Sequence, residues 1–454
     1  MYRFPEGLYC DIRTERRDEA VYNVHCDDQS GVRTVKNNSE TTVIGAIVRV
    51  YDGKMWYTSV TDDLDSIQAE IDSLAEIAER NHDIADDPVV KMFEVNKDTV
   101  LMYEGGNDIR NTTREQREKV VTDMIEAISN DDFPEIKQSG ATYFQEHYIT
   151  EFFSSKGAEI KQDFQHCYLG RWFDIVVNGV KTTGGKYFSG FSFEELLGHE
   201  DEVLKERERY MDFAKNAVDV EAGDYVCVLS PKTTGMFTHE SFGHKSEADF
   251  MLNDQTLRDE WVIGKKVGSS LVSICDDGFI EGERHNGDVA YDDEGTKSRP
   301  TWLIKDGVLT GRLHDAKSAA TLGEELTGNS RAQDYHHAPM VRMTNTYMAA
   351  GETPPEEMIA GVKDGVYVYN VSYGTGQGTF TMKPIICYRI RDGKLCEPLR
   401  VNVVSGSVFK TLFDIDAVGN DLEFTETATC GKNGQSVRVS DSGPTIRVKS
   451  LTVN

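Results

Sequence analysis

The spacing of apolar residues divides the chain into a first half of mixed strands and helices and a second half rich in strands. Alternating or β-branched runs in the first half predict strands at 9–24, 41–51, 55–60, 143–153, 158–168 and 171–178. Apolar positions at helical spacing predict helices at 64–78, from Thr113 to 128, and at 192–217.

Capping patterns support two of these helices. Thr113 is followed three residues later by Gln116, and Ser192 by Glu195. In a capping box the two side chains satisfy backbone N–H groups that the first helical turn leaves free. We therefore expect helices to begin at both positions.

Beyond Val220 short strands and tight turns dominate. The segments 305–307 and 391–393 each contain Asp-Gly between apolar runs and predict hairpins. The runs 366–373 and 380–390 predict two strands joined by the glycine-rich turn 374–378. We predict an α+β protein: an N-terminal mixed α/β domain, residues 1–218, followed by a β-rich C-terminal domain, residues 219–454, which carries the helix with the candidate metal site.

Composition narrows the possible partners. With 77 acidic and 49 basic residues among 454, the net charge is -28, which repels nucleic acids and anionic membranes, so neither is expected as a partner. None of the eight cysteines forms a C-x-x-C pair, which favours reduced thiols. The N-terminal residues lack the apolar segment of a signal peptide, and we expect a cytoplasmic protein.

The segment 239–244, HESFGH, holds the strongest chemical signal. Imidazoles bind zinc, and a neighbouring carboxylate can take a proton from metal-bound water. His239 and His244 are five residues apart, which on a regular α-helix separates them by about 140° around the axis. They can meet at one metal only where the helix widens to a five-residue turn, a π-bulge, which Gly243 would ease. We predict such a bulge; from the residues alone, the third ligand is another histidine, a carboxylate or a cysteine.

Several further strings accompany this motif. They are Glu247 and Asp249, LIKDGVLTG at 303–311, LHD at 313–315, TGN at 327–329, RMTNTYM at 342–348 and CGK at 430–432. Together they resemble the TldD/PmbA family of zinc metallopeptidases from about residue 220 to the end. Residues 1–217 resemble the family more weakly, by their position in the chain and their general pattern and not by motif.

The resemblance implies a zinc-dependent peptidase of the active, TldD-like type that acts on extended or unfolded polypeptides. It implies His239, His244 and Cys430 as ligands of Zn²⁺, and Glu240 as the general base on zinc-bound water. It also implies dimers that enclose an inner cavity, formed with a second copy or with a paralogue. Glu247 or Asp249 is expected to orient a ligating histidine, with Glu247 the better placed because it follows His244 by three residues.

Other interpretations stay open at this point. In the family one member of a pair can lack the metal motif, so a non-catalytic peptide-binding scaffold is the alternative function, and a hydrolase of small amides is a third. A solvated acidic helix face would explain Glu247 and Asp249 equally well. The glycines at 374–378 predict a hairpin turn and, as a second hypothesis, a strand edge that an extended peptide could approach. We expect His314 to be a hydrogen-bonded structural residue.

Overall fold

The N-terminal half is built on a large sheet of long strands. The computed structural model describes residues 2–376, 378–425 and 427–454. The strands of this half are β1 (Tyr9–Asp27), β2 (Val32–Tyr51), β3 (Trp56–Thr61), β4 (Lys97–Leu101), β5 (Ile136–Ser154), β6 (Glu159–Val177), β7 (Val180–Gly190) and β8 (Val218–Asp219). All but β8 form one sheet in the order β3-β2-β1-β5-β6-β4, with β7 also paired to β6.

Four α-helices flank these strands: α1 (Ile67–Ile77), α2 (Pro88–Met92), α3 (Arg114–Ala127) and α4 (Glu200–Asn216). The capping box of Thr113 and Gln116 forms as predicted at the start of α3. Apolar residues of α3 and α4 pack against the sheet and close one core of this half.

Two predictions in this half need correction. The runs 158–168 and 171–178 are not two strands but the single strand β6, within which Gly170 lies opposite Tyr187 of β7. A Cβ at Gly170 would lie 2.1 Å from the Tyr187 ring, so the glycine makes room for an aromatic neighbour and does not break the strand. The segment 180–190, which was not predicted as a strand, forms β7.

The helix predicted at 192–217 begins later than expected. Ser192 Oγ donates to Glu195 at 2.9 Å, but Glu195 belongs to a short 3₁₀ turn, Glu194–Leu196, and not to the α-helix. Gly198 then adopts φ +85°, a left-handed conformation that interrupts the helix before α4 begins at Glu200.

The C-terminal half is rich in short strands. They are β9 (Gly223–Leu229), β10 (Ile274–Asp276), β11 (Thr301–Lys305), β12 (Val308–Leu309), β13 (Ser330–Arg331), β14 (Met340–Val341), β15 (Asn345–Met348), β16 (Asp364–Gly376), β17 (Thr379–Arg391), β18 (Lys394–Arg400), β19 (Val404–Ser407), β20 (Ile415–Val418), β21 (Thr429–Lys432), β22 (Gln435–Arg438), β23 (Ser440–Ser442) and β24 (Ile446–Val453). The helices are α5 (Pro231–Thr238), α6 (His244–Ser246), α7 (Ala248–Met251), α8 (Gln255–Glu260), α9 (Ala316–Leu322), α10 (Pro355–Ala360) and α11 (Val408–Asp414).

The largest C-terminal sheet runs β16-β9-β24-β19-β17-β18-β8, and β16 also pairs with β17, so part of the sheet closes on itself. The hairpins predicted at 305–307 and 391–393 are confirmed as β11–β12 and β17–β18. The predicted pair 366–373 and 380–390 is confirmed as β16 and β17; Gln377 of the connecting turn lies outside the described residues.

The two halves together confirm the predicted α+β class. The boundary at 218 and 219 stays a prediction, and Ile386 of β17 packs into the N-terminal core. None of the helices in the described parts of the chain is long and apolar enough to span a membrane.

Candidate metal centre

The helix that carries the motif begins directly after a buried strand. β9 ends at Leu229, and Ser230 caps α5 by accepting from the backbone N–H of Thr233. Pro231 occupies the first helical turn, where its missing N–H leaves no bond unmade. Ser230 Oγ also donates to the carbonyl of Tyr369 in β16 at 2.7 Å, which fixes the start of the helix against the sheet.

The predicted π-bulge is confirmed. Residues His239–Gly243 form a five-residue turn, here called the π-turn, in which the backbone N–H of His244 donates to the carbonyl of His239. The widened turn places the two imidazoles side by side, with ring centroids 5.1 Å apart.

Glycine is needed at position 243 for a different reason from the one predicted. Its φ of -55° is ordinary for a helix, so the turn does not need the conformational freedom of glycine. A Cβ at this position, however, would lie 1.9 Å from Sδ of the buried Met343. The glycine therefore allows the π-turn to pack closely against Met343.

Glycines of β16 pack against the other side of the same turn. A Cβ at Gly376 would lie 2.7 Å from the carbonyl oxygen of Glu240, and one at Gly374 would lie 3.2 Å from Cγ of Glu240. Because neither position carries a side chain, the end of β16 passes directly over Glu240.

Glu247 is held outside the helix and is buried, so it does not lie on a solvated helix face. The helix ends at Ser246, and Glu247 has an extended backbone paired with Leu313. Its Oε2 nevertheless lies 3.0 Å from Nδ1 of His244, the contact predicted for an orienting carboxylate. Asp249 does not contact His244; its carboxylate accepts from Lys432 at 2.8 and 2.9 Å.

Cys430 reaches the imidazoles from a distant hairpin, β21–β22, here called the Cys430 hairpin. Asn433 and Gly434 both have positive φ and form its two-residue turn. The side chain of Cys430 is buried, and Sγ lies 3.5 Å from Nε2 of His244. The donor atoms of His239, His244 and Cys430 all lie within 4.8 Å of one another and could hold a metal ion.

The electrostatics of this group favour a thiolate. Burial opposes ionisation of Cys430, but hydrogen bonds from His239 and His244 outweigh burial and lower the pKa of the thiol to about 5. Burial would likewise lower the pKa of His244, but its contacts with Cys430 and Glu247 raise it to about 10. The contact between Cys430 and His244 contributes to both shifts, together with His239 on the thiol and Glu247 on the imidazole.

Glu240 lies at the edge of the group. Burial raises the pKa of its carboxyl, while positive charge on His239 and His244 acts in the opposite direction. Its carboxylate is therefore within electrostatic range of His239, His244 and Cys430.

The other histidine considered from the sequence lies elsewhere. His314 is buried and contacts Ser318 at 3.1 Å and Glu324 at 2.9 Å, which confirms its structural role.

Sequence reasoning missed two cations beside the Cys430 hairpin. Arg342, fully buried, donates to the carbonyl of Cys430, and Lys432 contacts Asp249. The position of Lys432, two residues after Cys430, was the signal available, because such residues share one face of a strand.

Comparison with known proteins identifies a matching family and relatives that cover 61% to 90% of the chain. Residues 222–454 match a family model described as "PmbA/TldA metallopeptidase C-terminal domain", and residues 33–85 match "PmbA/TldA metallopeptidase domain 1". The zinc metalloprotease TldD homolog of Saccharolobus solfataricus is 31% identical over 422 residues, which are 90% of this chain and 89% of the relative.

A metalloprotease of Synechocystis is 38% identical over 277 residues, which cover 61% of this chain but only 58% of the relative's own length. Among solved structures, TldE of Thermococcus kodakarensis superposes with a TM-score of 0.77 at 14% identity, over 98% of this chain and 96% of the other. This last likeness is one of fold.

Proposed function

We propose that this chain, which belongs to the PmbA/TldD metallopeptidase family, is a zinc-dependent peptidase that hydrolyses peptide bonds in extended or unfolded polypeptides. The matches confirm the family predicted from the sequence motifs and, with it, the class of metallopeptidases and so of hydrolases. The observation that carries the proposed activity is the convergence of His239, His244 and Cys430 around one point.

The donor set fits zinc. In a tetrahedral site with bonds of about 2.3 Å to sulfur and about 2.05 Å to nitrogen, these donor atoms lie about 3.6 Å apart. The separation of Cys430 Sγ from His244 Nε2 is 3.5 Å. In addition, Nδ1 of His239 is buried and has no hydrogen-bond partner among the described side chains and backbone, which leaves this ring with an unsatisfied nitrogen.

On this basis we assign His239, His244 and Cys430 as the three zinc ligands. Zinc, when bound, would act as a Lewis acid that polarises the scissile carbonyl and acidifies water. The predicted Zn²⁺ cofactor is further supported by the name of the Saccharolobus relative, a zinc metalloprotease. Glu247 accepts from Nδ1 of His244 and so fixes which ring nitrogen faces the other donors.

Glu240 is proposed as the general base. It directly follows His239 and interacts electrostatically with His239, His244 and Cys430, and its raised pKa makes its carboxylate a stronger proton acceptor. In the proposed reaction its carboxylate accepts a proton from the attacking water and then delivers that proton to the leaving amine. Burial under the end of β16 holds the side chain in place.

An extended substrate suits the strand beside Glu240. β16 pairs with β9 from Gly365 to Val368, but no strand of the described residues pairs with that edge beyond Val368. Gly374 and Gly376 leave its main chain uncovered by side chains. A peptide laid along this edge could form main-chain hydrogen bonds regardless of its sequence.

We further propose a dimer, formed with a second copy or with a paralogue, in the cytoplasm. The fold it shares with a chain named TldE makes a paralogue a reasonable partner. The described cysteines are all unpaired, as in a reducing compartment.

The test compares one protein substrate in folded and unfolded form. We expect the full chain to cleave the unfolded form, to lose activity with a chelator, and to regain it with added zinc. A purified protein that is free of metal and insensitive to chelator would instead favour the non-catalytic peptide-binding scaffold. Cleavage of short amides alone would favour a small-amide hydrolase.

A further inference from the structure

Lys432 is a buried cation with several partners near the metal centre. Its side chain is 3% exposed, and Nζ lies 2.8 and 2.9 Å from the Asp249 carboxylate and 2.8 Å from the carbonyl of Val341. Nζ also lies 3.4 Å from Oε2 of Glu247. The ammonium therefore connects the Cys430 hairpin to the segment that follows the motif helix.

The register of the strand explains how Lys432 reaches this position. Cys430 and Lys432 are two residues apart on β21, so both side chains point to the same, buried face, while Thr429 and Gly431 are exposed. From that face Sγ of Cys430 meets Nε2 of His244 at 3.5 Å, and Nζ of Lys432 meets the carboxylate of Glu247.

These contacts, with strand β21, link four side chains in a ring: Cys430, His244, Glu247 and Lys432. His244 and Glu247 are joined at 3.0 Å, and each is held by one residue of the Cys430 hairpin. Moving Lys432 therefore disturbs both the carboxylate that orients His244 and the strand that carries Cys430.

Glu247 needs a cation in this environment. It is 0% exposed, and its Oε1 has no hydrogen-bond partner among the described residues. A buried carboxylate is costly unless an opposite charge lies near it. Apart from His244, Lys432 is the cation within 4.0 Å of Glu247 in the described part of the chain.

We infer that Lys432 is a positioning residue of the metal site: it holds Glu247 in place, so that His244 and Cys430 meet at the geometry a metal ion requires. This inference rests on the proposed function, since it takes His244 and Cys430 as zinc ligands. The competing explanation is that Lys432 only pairs with Asp249 and has no effect on the metal.

The test measures the zinc dissociation constant of the full chain by competition with a chelator at one pH. Outer residues of metal sites typically change metal affinity about 10–100-fold, and we expect that loss for Lys432→Met. Glu247→Gln should give a similar loss. The double variant Lys432→Met, Glu247→Gln should bind zinc no more weakly than the weaker-binding of the two single variants, because both substitutions remove the same contact.

Two control variants isolate the effect. Lys245 of α6 is 8% exposed and pairs with Glu260 of α8 at 2.8 Å, and among the described residues it forms no ion pair with Glu247. Lys245→Met should bind zinc as wild type does. Asp249→Asn should also retain most of the affinity, because it leaves the contact between Lys432 and Glu247 intact.

Each outcome decides the inference. Wild-type zinc affinity in Lys432→Met would overturn the inference. So would losses of zinc affinity that multiply in the double variant, or a loss in Asp249→Asn equal to that in Lys432→Met. If Lys432→Met does not fold by circular dichroism, Lys432→Gln is measured, and if both are unfolded the role is structural and the inference fails. A wild-type chain that binds zinc but cleaves nothing overturns the proposed function alone, whereas a chain that binds no zinc overturns both.

Discussion

The metal centre and the cluster around Arg49 both bury several ionisable side chains, but they balance the charge in different ways. Arg49 binds the Asp11 carboxylate with two hydrogen bonds of 2.7 and 2.8 Å, and its third nitrogen lies 3.5 Å from Glu294. Glu294 also accepts from the backbone N–H of Ala316 at 3.0 Å. Each charge in this cluster therefore has a partner of opposite sign.

The metal centre instead brings metal-binding donor atoms close together. Two imidazoles and a thiol share one point, and Nδ1 of His239 has no partner among the described residues. Burial of charge by itself is thus no sign of function. The difference lies in whether the buried groups only neutralise one another or also bring metal-binding donor atoms together at one position.

Of the changes that would test this contrast, loss of the general base should have the largest effect. Glu240→Gln should lower kcat for an unfolded substrate by about 10²–10⁴-fold, the usual contribution of a positioned proton acceptor. Zinc content, measured by elemental analysis, should stay at the wild-type level. Full activity of a zinc-loaded variant would remove Glu240 from the mechanism.

Removal of the thiol should act on the metal and leave the fold in place. We expect Cys430→Ser to weaken zinc binding by more than about 100-fold, beyond the loss typical of outer residues, because a ligand is lost. Cys396 is exposed and is not among the grouped metal-binding residues of the described chain, so Cys396→Ser is the matched control with unchanged affinity. Equal zinc binding by both variants would contradict the assignment of Cys430.

Disruption of the Arg49 cluster should act on the fold and not on the metal. Arg49→Met leaves Asp11 buried without its cation, which costs about 3–5 kcal/mol of unfolding free energy. The double variant Arg49→Met, Asp11→Asn should recover part of that loss. Chemical denaturation measures both, and a change in the zinc affinity of the folded variants would show that the two clusters are coupled.

The smallest effect concerns the packing of the π-turn. Gly243→Ala would place a Cβ 1.9 Å from Met343 Sδ and should destabilise the protein by about 1–3 kcal/mol, as overpacked cores do. Met343→Ala is itself destabilising because Met343 is fully buried, but it opens the space, so the loss in the double variant should be smaller than the sum of the two single losses. If Gly243→Ala alone were neutral, the close packing described here would be wrong.

The sequence predicts the parts of this molecule that depend on local chemistry. The spacing of His239 and His244 forced a choice between accident and a π-turn, and the structure has the π-turn. The capping box at Thr113 and the Asp-Gly hairpins follow equally local rules. These features depend on neighbours in the chain, which a single sequence contains.

Features that depend on distant contacts were missed or misjudged. The sequence pattern predicts two strands, 158–168 and 171–178, yet they are one strand in which Gly170 accommodates Tyr187 across the sheet. The residues alone did not distinguish Cys430 from the other cysteines; only the family resemblance did. Asn433–Gly434 is a strong hairpin signal that places Cys430 and Lys432 on one strand face, but which element that face meets is decided by the tertiary fold.

X-ray absorption at the zinc edge tests the central claim most directly, because it reports the ligands of the bound metal. For the zinc-loaded full chain, the account predicts one sulfur at about 2.3 Å and imidazole nitrogens at about 2.0–2.1 Å, with the sulfur signal lost in Cys430→Ser. A wild-type spectrum without a sulfur ligand, or with more than one, would contradict a site formed by His239, His244 and Cys430.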